Sequence, residues 1–146
     1  MTYPDNFETK TGFDKIRDLL NVNCLSQLGR DKVGEMCFSS DYEVVLDLVN
    51  QTAEFVRILQ EEDDFPVSNY YDVRDCLRKI AVEGTYLTSA ELFDLRRSVE
   101  TIGLLVRFFN NKEEVQYYYL KKLAGDVFVF PELLALIDRI LDKFGQ

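Results

Sequence analysis

The chain contains no histidine and no tryptophan, and only three cysteines, three prolines and seven glycines among its 146 residues. Without histidine there is no imidazole base for a serine or cysteine triad, and no histidine-ligated zinc, copper or non-haem iron. Cys24, Cys37 and Cys76 are odd in number and widely spaced, with no C-x-x-C pair, so they cannot form a closed disulfide framework. They read as buried small hydrophobes in a reducing cytosol. The longest apolar runs are a few residues, far short of the roughly 20 needed to span a bilayer. The stretch from Met1 to Asp18 carries charges of both signs and does not resemble a signal peptide. The expected location is the cytoplasm.

What is present is core material. The sequence is 47% hydrophobic and 13% aromatic, which excludes global disorder and suits a single domain spanning 1–146. Its 26 acidic and 17 basic residues leave a formal charge of −9, a field that opposes the approach of nucleic acid unless the basic groups are segregated. Residues 1–70 hold 14 acidic and 6 basic groups, whereas residues 71–146 hold 12 and 11. Any face that meets an anion is therefore expected from the second half.

The hydrophobic period is helical almost throughout. Phe13, Ile16, Leu20 and Cys24 share one helix face, and Ser26 to Met36 can follow as a short helix, weakened by Gly29 and Gly34. Ser40-Asp41-Tyr42-Glu43 has the form of a capping box. Behind it Val45, Leu48, Thr52, Phe55 and Leu59 step by three and four, up to the acidic run Glu61–Asp64 and Pro66. Phe65 to Tyr71 reads as a loop, and Asp72 as the cap of a short helix through Cys76, Leu77 and Ile80, with Gly84 beyond its end. A second capping box, Thr88 to Glu91, opens a long helix whose stripe is Leu92, Leu95, Val99, Ile102, Val106 and Phe109, ending near Asn110 and Asn111. That seven-residue pattern lets long helices lie together at a shallow angle. It predicts Leu95, Val99, Ile102 and Val106 buried against Leu48, Phe55 and Leu59. Residues 113–124 are apolar at Val115, Tyr118 or Tyr119, and Leu123, with Gly125 as a stop. Pro131 starts a last helix with the stripe Leu133, Ile137, Ile140 and Phe144. Val127 to Phe130 is too short to found a sheet. The expected fold is all-α, a single antiparallel helical bundle with two long and several shorter helices.

No phosphate-binding loop, dinucleotide fingerprint or EF-hand spacing occurs. Glu61 to Asp64 reads as a solvated acidic loop, because adjacent carboxylates on a helix end diverge while a metal needs them convergent. Tyr117-Tyr118-Tyr119 beside Lys121 and Lys122 suggests base stacking, but three adjacent helical residues fan widely, so at least one tyrosine should face the core. Arg74, Arg78 and Lys79, and the pair Arg96-Arg97, form small basic clusters. Such clusters are commonly solvated or paired within the helix, as Glu100 can pair with Arg96 or Arg97. The candidate nucleic-acid contacts are Arg96, Arg97, Lys121 and Lys122; no residue stands out as catalytic, cofactor-binding or metal-ligating.

The order of elements carries a resemblance. Asn6-Phe7-Glu8-x-Lys10-x-Gly12-Phe13-Asp14-Lys15-Ile16 is followed by Cys24-Leu25-Ser26-x-Leu28-Gly29, then by Gln51-Thr52-x-Glu54 and Asp72-Val73-Arg74. Gly84 with Leu87, Glu91-Leu92 and the terminal Phe144-Gly145 continue the series. Together these resemble the amino-terminal helical core of the MutS-two branch of the MutS ATPase family, associated with restraining recombination. Thr11-Gly12 stand where that family usually has Leu-Glu. The resemblance implies a fragment of a longer chain that carries an ATPase domain using ATP and Mg, a possible endonuclease domain and lever helices. It implies a homodimer that binds DNA through its other parts. This segment would then be a non-catalytic connector with no cofactor of its own. The alternative is a self-contained helical module for protein–protein interaction, using the seam from Leu92 to Phe109.

Overall fold

A computed structural model describes residues 6–141 and Gly145. The described residues contain eight α-helices and no strand, as the helical periodicity predicts. They fall into two compact units, 1–40 and 41–146.

The first unit holds α1 (Phe7–Thr11), α2 (Phe13–Asn23) and α3 (Gln27–Glu35). Gly12 ends α1 and precedes α2 at φ +75°, a left-handed conformation in which a Cβ is strained. Arg17 of α2 ties the unit together: its guanidinium donates to the Glu8 carboxylate at 2.8 and 3.2 Å and to the Met36 carbonyl at 2.7 Å. Phe7 and Phe38 meet edge to face at 6.1 Å. Ser26 caps α3 by accepting from the Gly29 amide, so the two glycines do not prevent this helix. Val33 is the buried apolar residue here, and Ile16, Leu20 and Leu25 are exposed.

The second unit holds α4 (Tyr42–Glu61), α5 (Arg74–Ile80), α6 (Ser89–Asn110), α7 (Tyr118–Gly125) and α8 (Pro131–Ile137). Helix α7 packs on both α4 and α6, and α8 packs on α6. The core gathers Ile58, Phe65, Phe108, Phe109 and Tyr117, with Leu105, Leu120 and Ala124 against it. Its rings are mostly edge to face: Phe65 lies 5.1 Å from Phe108, and Phe108 lies 5.3 Å from Phe109. This arrangement adds quadrupole attraction to burial.

The capping box at Thr88 is present: its hydroxyl accepts from the Glu91 amide, and Glu91 accepts from the Thr88 amide at 2.7 Å. The cap of α4 lies one residue later than expected. Asp41, not Ser40, takes the Glu43 and Val44 amides on its Oδ1. A carboxylate there satisfies two orphan donors and sits at the positive end of the helix dipole. Asp72 accepts the Arg74 amide at 3.1 Å, but Val73 occupies the cap position of α5.

Several expected burial patterns are corrected. On α6 the buried residues are Leu95, Ser98, Thr101, Phe108 and Phe109, while Ile102 is 40% exposed. The inward face is rotated by about one residue because the 65–71 segment lies along α6. Ser98 donates to the Tyr71 carbonyl and Thr101 to the Ser68 carbonyl, both at 3.4 Å. On α4 only Ile58 is buried, and Leu48, Phe55 and Leu59 are exposed; Phe55 meets the Phe65 ring at 5.5 Å and faces Ile102 and Val106 only across an open cleft. Helix α7 and the Phe65 ring mediate between the two long helices instead. On the last helix Ile137 is buried while Leu133 and Ile140 are exposed; α8 ends at Ile137, Leu141 beyond it is buried, and Phe144 lies outside the described residues. Val115 is exposed, and the cysteines are half-buried (Cys24, Cys76) or exposed (Cys37) rather than buried.

Candidate functional site

The four basic candidates have different surroundings. Arg96 donates through Nε to Asp138, which caps the end of α8, at 2.5 Å and through Nη1 to Glu100 at 2.9 Å, so it ties α6 to the end of α8. Both carboxylates hold its guanidinium more firmly protonated than usual, Asp138 first. Arg97 donates to the Asn69 side-chain carbonyl and lies over the rings of Tyr71 at 4.7 Å and Phe93 at 5.5 Å. Asn69 is held at φ +66°, a conformation that asparagine tolerates better than most residues. Lys121 reaches back to the carbonyls of Lys112 at 2.9 Å and Glu113 at 3.3 Å. Lys122 is exposed on α7. Three of the four positive charges are therefore engaged in holding elements together.

The strongest polar constellation was not legible as a motif. Glu62, just past α4, accepts from Lys112 and from the Tyr117 hydroxyl, the latter at 2.8 Å. The Arg57 guanidinium lies 4.6 Å from the centre of the Tyr117 ring. Lys112 and Tyr117 hold the Glu62 carboxyl below its ordinary pKa, and burial together with Glu62 pushes the tyrosine hydroxyl up. Tyr117 itself is 1% exposed and adopts φ +54° immediately before α7. Eight residues earlier on α4, Glu54 accepts the amides of Tyr119 at 3.2 Å and Leu120 at 2.9 Å. A side chain from another helix thus supplies the cap that α7 lacks locally. Of the three adjacent tyrosines one is core, Tyr118 is exposed and Tyr119 half-buried, the last two meeting edge to face at 5.3 Å.

The acidic run is split by these contacts. Glu61 pairs with Arg57 at 3.5 Å while Glu62 turns inward, which corrects its reading as a wholly solvated loop. Among the described residues no cluster of three acidic or sulfur-bearing side chains could hold a metal, and no helix is long and apolar enough to cross a membrane.

Two open clefts flank the outward face of α6. One, of about 510 Å³, lies between α6 and α8, with Val99, Leu104, Val106, Phe130 and Leu134 among its walls. The other, of about 370 Å³, is walled by apolar residues of α4, α6 and α7, including Phe55, Ile102, Val106 and Leu123. Val106 stands between them. Concave apolar surface of this kind binds helices or apolar groups; no side chain in either cleft forms a nucleophile–base pair with another.

No family model and no solved structure matches the chain. Curated proteins do. The chain is 27% identical over 136 residues to the Endonuclease MutS2 of a Geobacillus species, which is 92% of this chain and 17% of that protein. It is 25% identical over 130 residues to the Endonuclease MutS2 of Streptococcus uberis, covering 89% of this chain and 17% of that one. With the Endonuclease MutS2 of Alkaliphilus oremlandii it shares 27% over 116 residues, 79% of this chain and 15% of the other. The chain thus spans about a sixth of the length of these relatives, and over most of its own length it resembles a segment of the MutS2 endonucleases.

Proposed function

We propose that the chain is a helical scaffold and connector of a MutS-like, DNA-binding ATPase that acts in the control of DNA recombination or repair. The observation that carries this reading is the asymmetry of the likeness: 92% of this chain corresponds to only 17% of a MutS2 protein. A segment of that size in a much larger machine serves by packing. The clefts beside α6 are the kind of surface on which further helices of such a machine would seat. The segment itself is non-catalytic. ATP, Mg and any endonuclease chemistry belong to other parts of the longer protein, which acts as a cytoplasmic homodimer and supplies most phosphate contacts.

The test is the cellular polypeptide that carries this sequence. A product several times 17.0 kDa with a G-x-x-x-x-G-K-[ST] phosphate loop supports the connector reading. A product without that loop favours a self-contained interaction module, the reading to which the open apolar clefts also lend themselves. On the connector reading the purified chain hydrolyses neither ATP nor DNA and binds branched DNA only weakly. Submicromolar binding that is lost between about 50 and 200 mM salt, and lost on K121A/K122A substitution, would overturn it.

A further inference from the structure

The outer face of α4 carries an apolar, half-exposed stripe, at whose edge Phe55 also meets the Phe65 ring at 5.5 Å. Val45, Leu48, Val49, Phe55, Val56 and Leu59 are each between 39% and 58% exposed. At 100° per residue they fall within about 60° of Thr52 on either side. The polar atom of Thr52 needs no outside partner, because its hydroxyl donates to the Leu48 carbonyl at 2.8 Å. Every charged residue of the helix (Glu43, Asp47, Glu54, Arg57, Glu61) lies about 140° or more from Thr52 around the axis. Meanwhile Asp47, Asn50, Gln51 and Glu54, on the other side, are half-buried. The helix therefore shows solvent the stripe that an amphipathic helix ordinarily hides.

We infer that this stripe is a self-association surface, on which α4 of a second copy of this chain packs antiparallel about a two-fold axis at Thr52. In that arrangement Val45 meets Leu59 of the second copy, Leu48 meets Val56, Val49 meets Phe55, and the small Thr52 lies at the crossing. An isologous contact requires such self-complementarity, and here every pair is apolar. The six side chains offer on the order of 500 Å² per copy, hence about 1,000 Å² across the pair, the lower bound for a specific interface. The absence of charge on the stripe keeps the chain's net −9 out of the contact, and antiparallel helix dipoles attract. An interface at this lower bound suits a weak, concentration-dependent dimer. This inference concerns the 146-residue chain itself and does not depend on its reading as a MutS-like segment.

The experiment is sedimentation of the whole chain from about 5 to 500 µM, a range over which a weak dimer populates progressively. The expected result is a mass rising from 17.0 kDa toward twice that value. L48K and V56E should each weaken association about tenfold or more, whereas A53E, outside the stripe on the same helix, should not. An equimolar mixture of L48K and V56E should recover dimer, because position 48 of one copy faces position 56 of the other. A mass that stays monomeric at every concentration overturns the inference. So does association indifferent to L48K and V56E, or a mixture that recovers nothing. Loss of helicity in either variant would contradict the exposed placement of the stripe and overturn it as well.

Discussion

Helices α4 and α6 are alike in sequence and unlike in environment. Both run about twenty residues, both begin at a capping side chain, and both carry apolar residues stepping by three and four. Yet α6 buries Leu95, Ser98, Thr101, Phe108 and Phe109, while α4 buries Ile58 alone. The difference is what lies against each. Helix α6 has α7, α8 and the 65–71 segment, with its carbonyls, around it; α4 touches α7 toward its C-terminal half and carries a half-exposed stripe elsewhere. An apolar period marks a face suited to packing, but not the identity of what packs there.

The sharpest contrast should come from the shared core. Phe108→Ala removes a ring that meets Phe65, Phe109 and Tyr117, and should cost about 3–5 kcal/mol in urea denaturation. Ile102→Ala, on the same helix but 40% exposed, should cost about 1 kcal/mol, in keeping with partial burial. Equal costs would mean that the inward face of α6 is the one the heptad spacing predicted.

Next is the polar tie that fastens the end of α4 to the start of α7. Tyr117→Phe deletes the donor to Glu62 while keeping the ring, and should cost about 1.5–3 kcal/mol, as for a hydrogen bond to a charged group. The Glu62 carboxyl should rise toward its ordinary pKa in the variant, because one of its two donors is gone. An unchanged stability would place the fastening in the Lys112 pair alone.

The caps separate the two helices more finely. Thr88→Ala should cost about 1 kcal/mol, and Asp41→Ala a similar amount, whereas Ser40→Ala should change stability by less than about 0.5 kcal/mol. A larger loss at Ser40 than at Asp41 would restore the capping box expected at α4.

The smallest expected effect is a pH dependence at the start of α6, within its capping box. Lys79, then the Thr88 amide and hydroxyl, hold Glu91 down to about 2, against an ordinary 4.5. A carboxyl depressed on folding contributes stability that is complete above about 4.5 and is lost as pH falls through about 2. Glu91→Gln should therefore flatten the acid limb of the stability curve between those values and leave its alkaline side alone. An acid limb identical in the variant would remove Glu91 from the account.

Much of this was legible in the residues. Thr88 and Glu91 announce the start of α6 because the box is a local, reciprocal pair of hydrogen bonds, and Pro131 marks α8 because its ring suits a first helical position. The rotation of α6 was not legible: it depends on Ser98 and Thr101 finding carbonyls of Tyr71 and Ser68, about thirty residues away in the chain. Nor was Glu62 with Lys112 and Tyr117, since fifty residues separate carboxylate from ammonium. The basic candidates were visible as charges, but the fact that Arg96, Arg97 and Lys121 serve as internal ties follows only from their partners in the fold.

The contrast between the two faces of α4 is tested most directly by placing one charge on each. Leu48→Asp and Ile58→Asp put the same carboxylate on the same helix, one on the open stripe and one at 0% exposure. Measured by urea denaturation at low protein concentration, Leu48→Asp should keep the helical content and a cooperative transition close to that of the unmodified chain. Ile58→Asp should abolish the transition, because an unpaired buried charge in the core has no partner to offset its desolvation. If Leu48→Asp unfolds the chain as Ile58→Asp does, the stripe is core and the account of α4 is wrong.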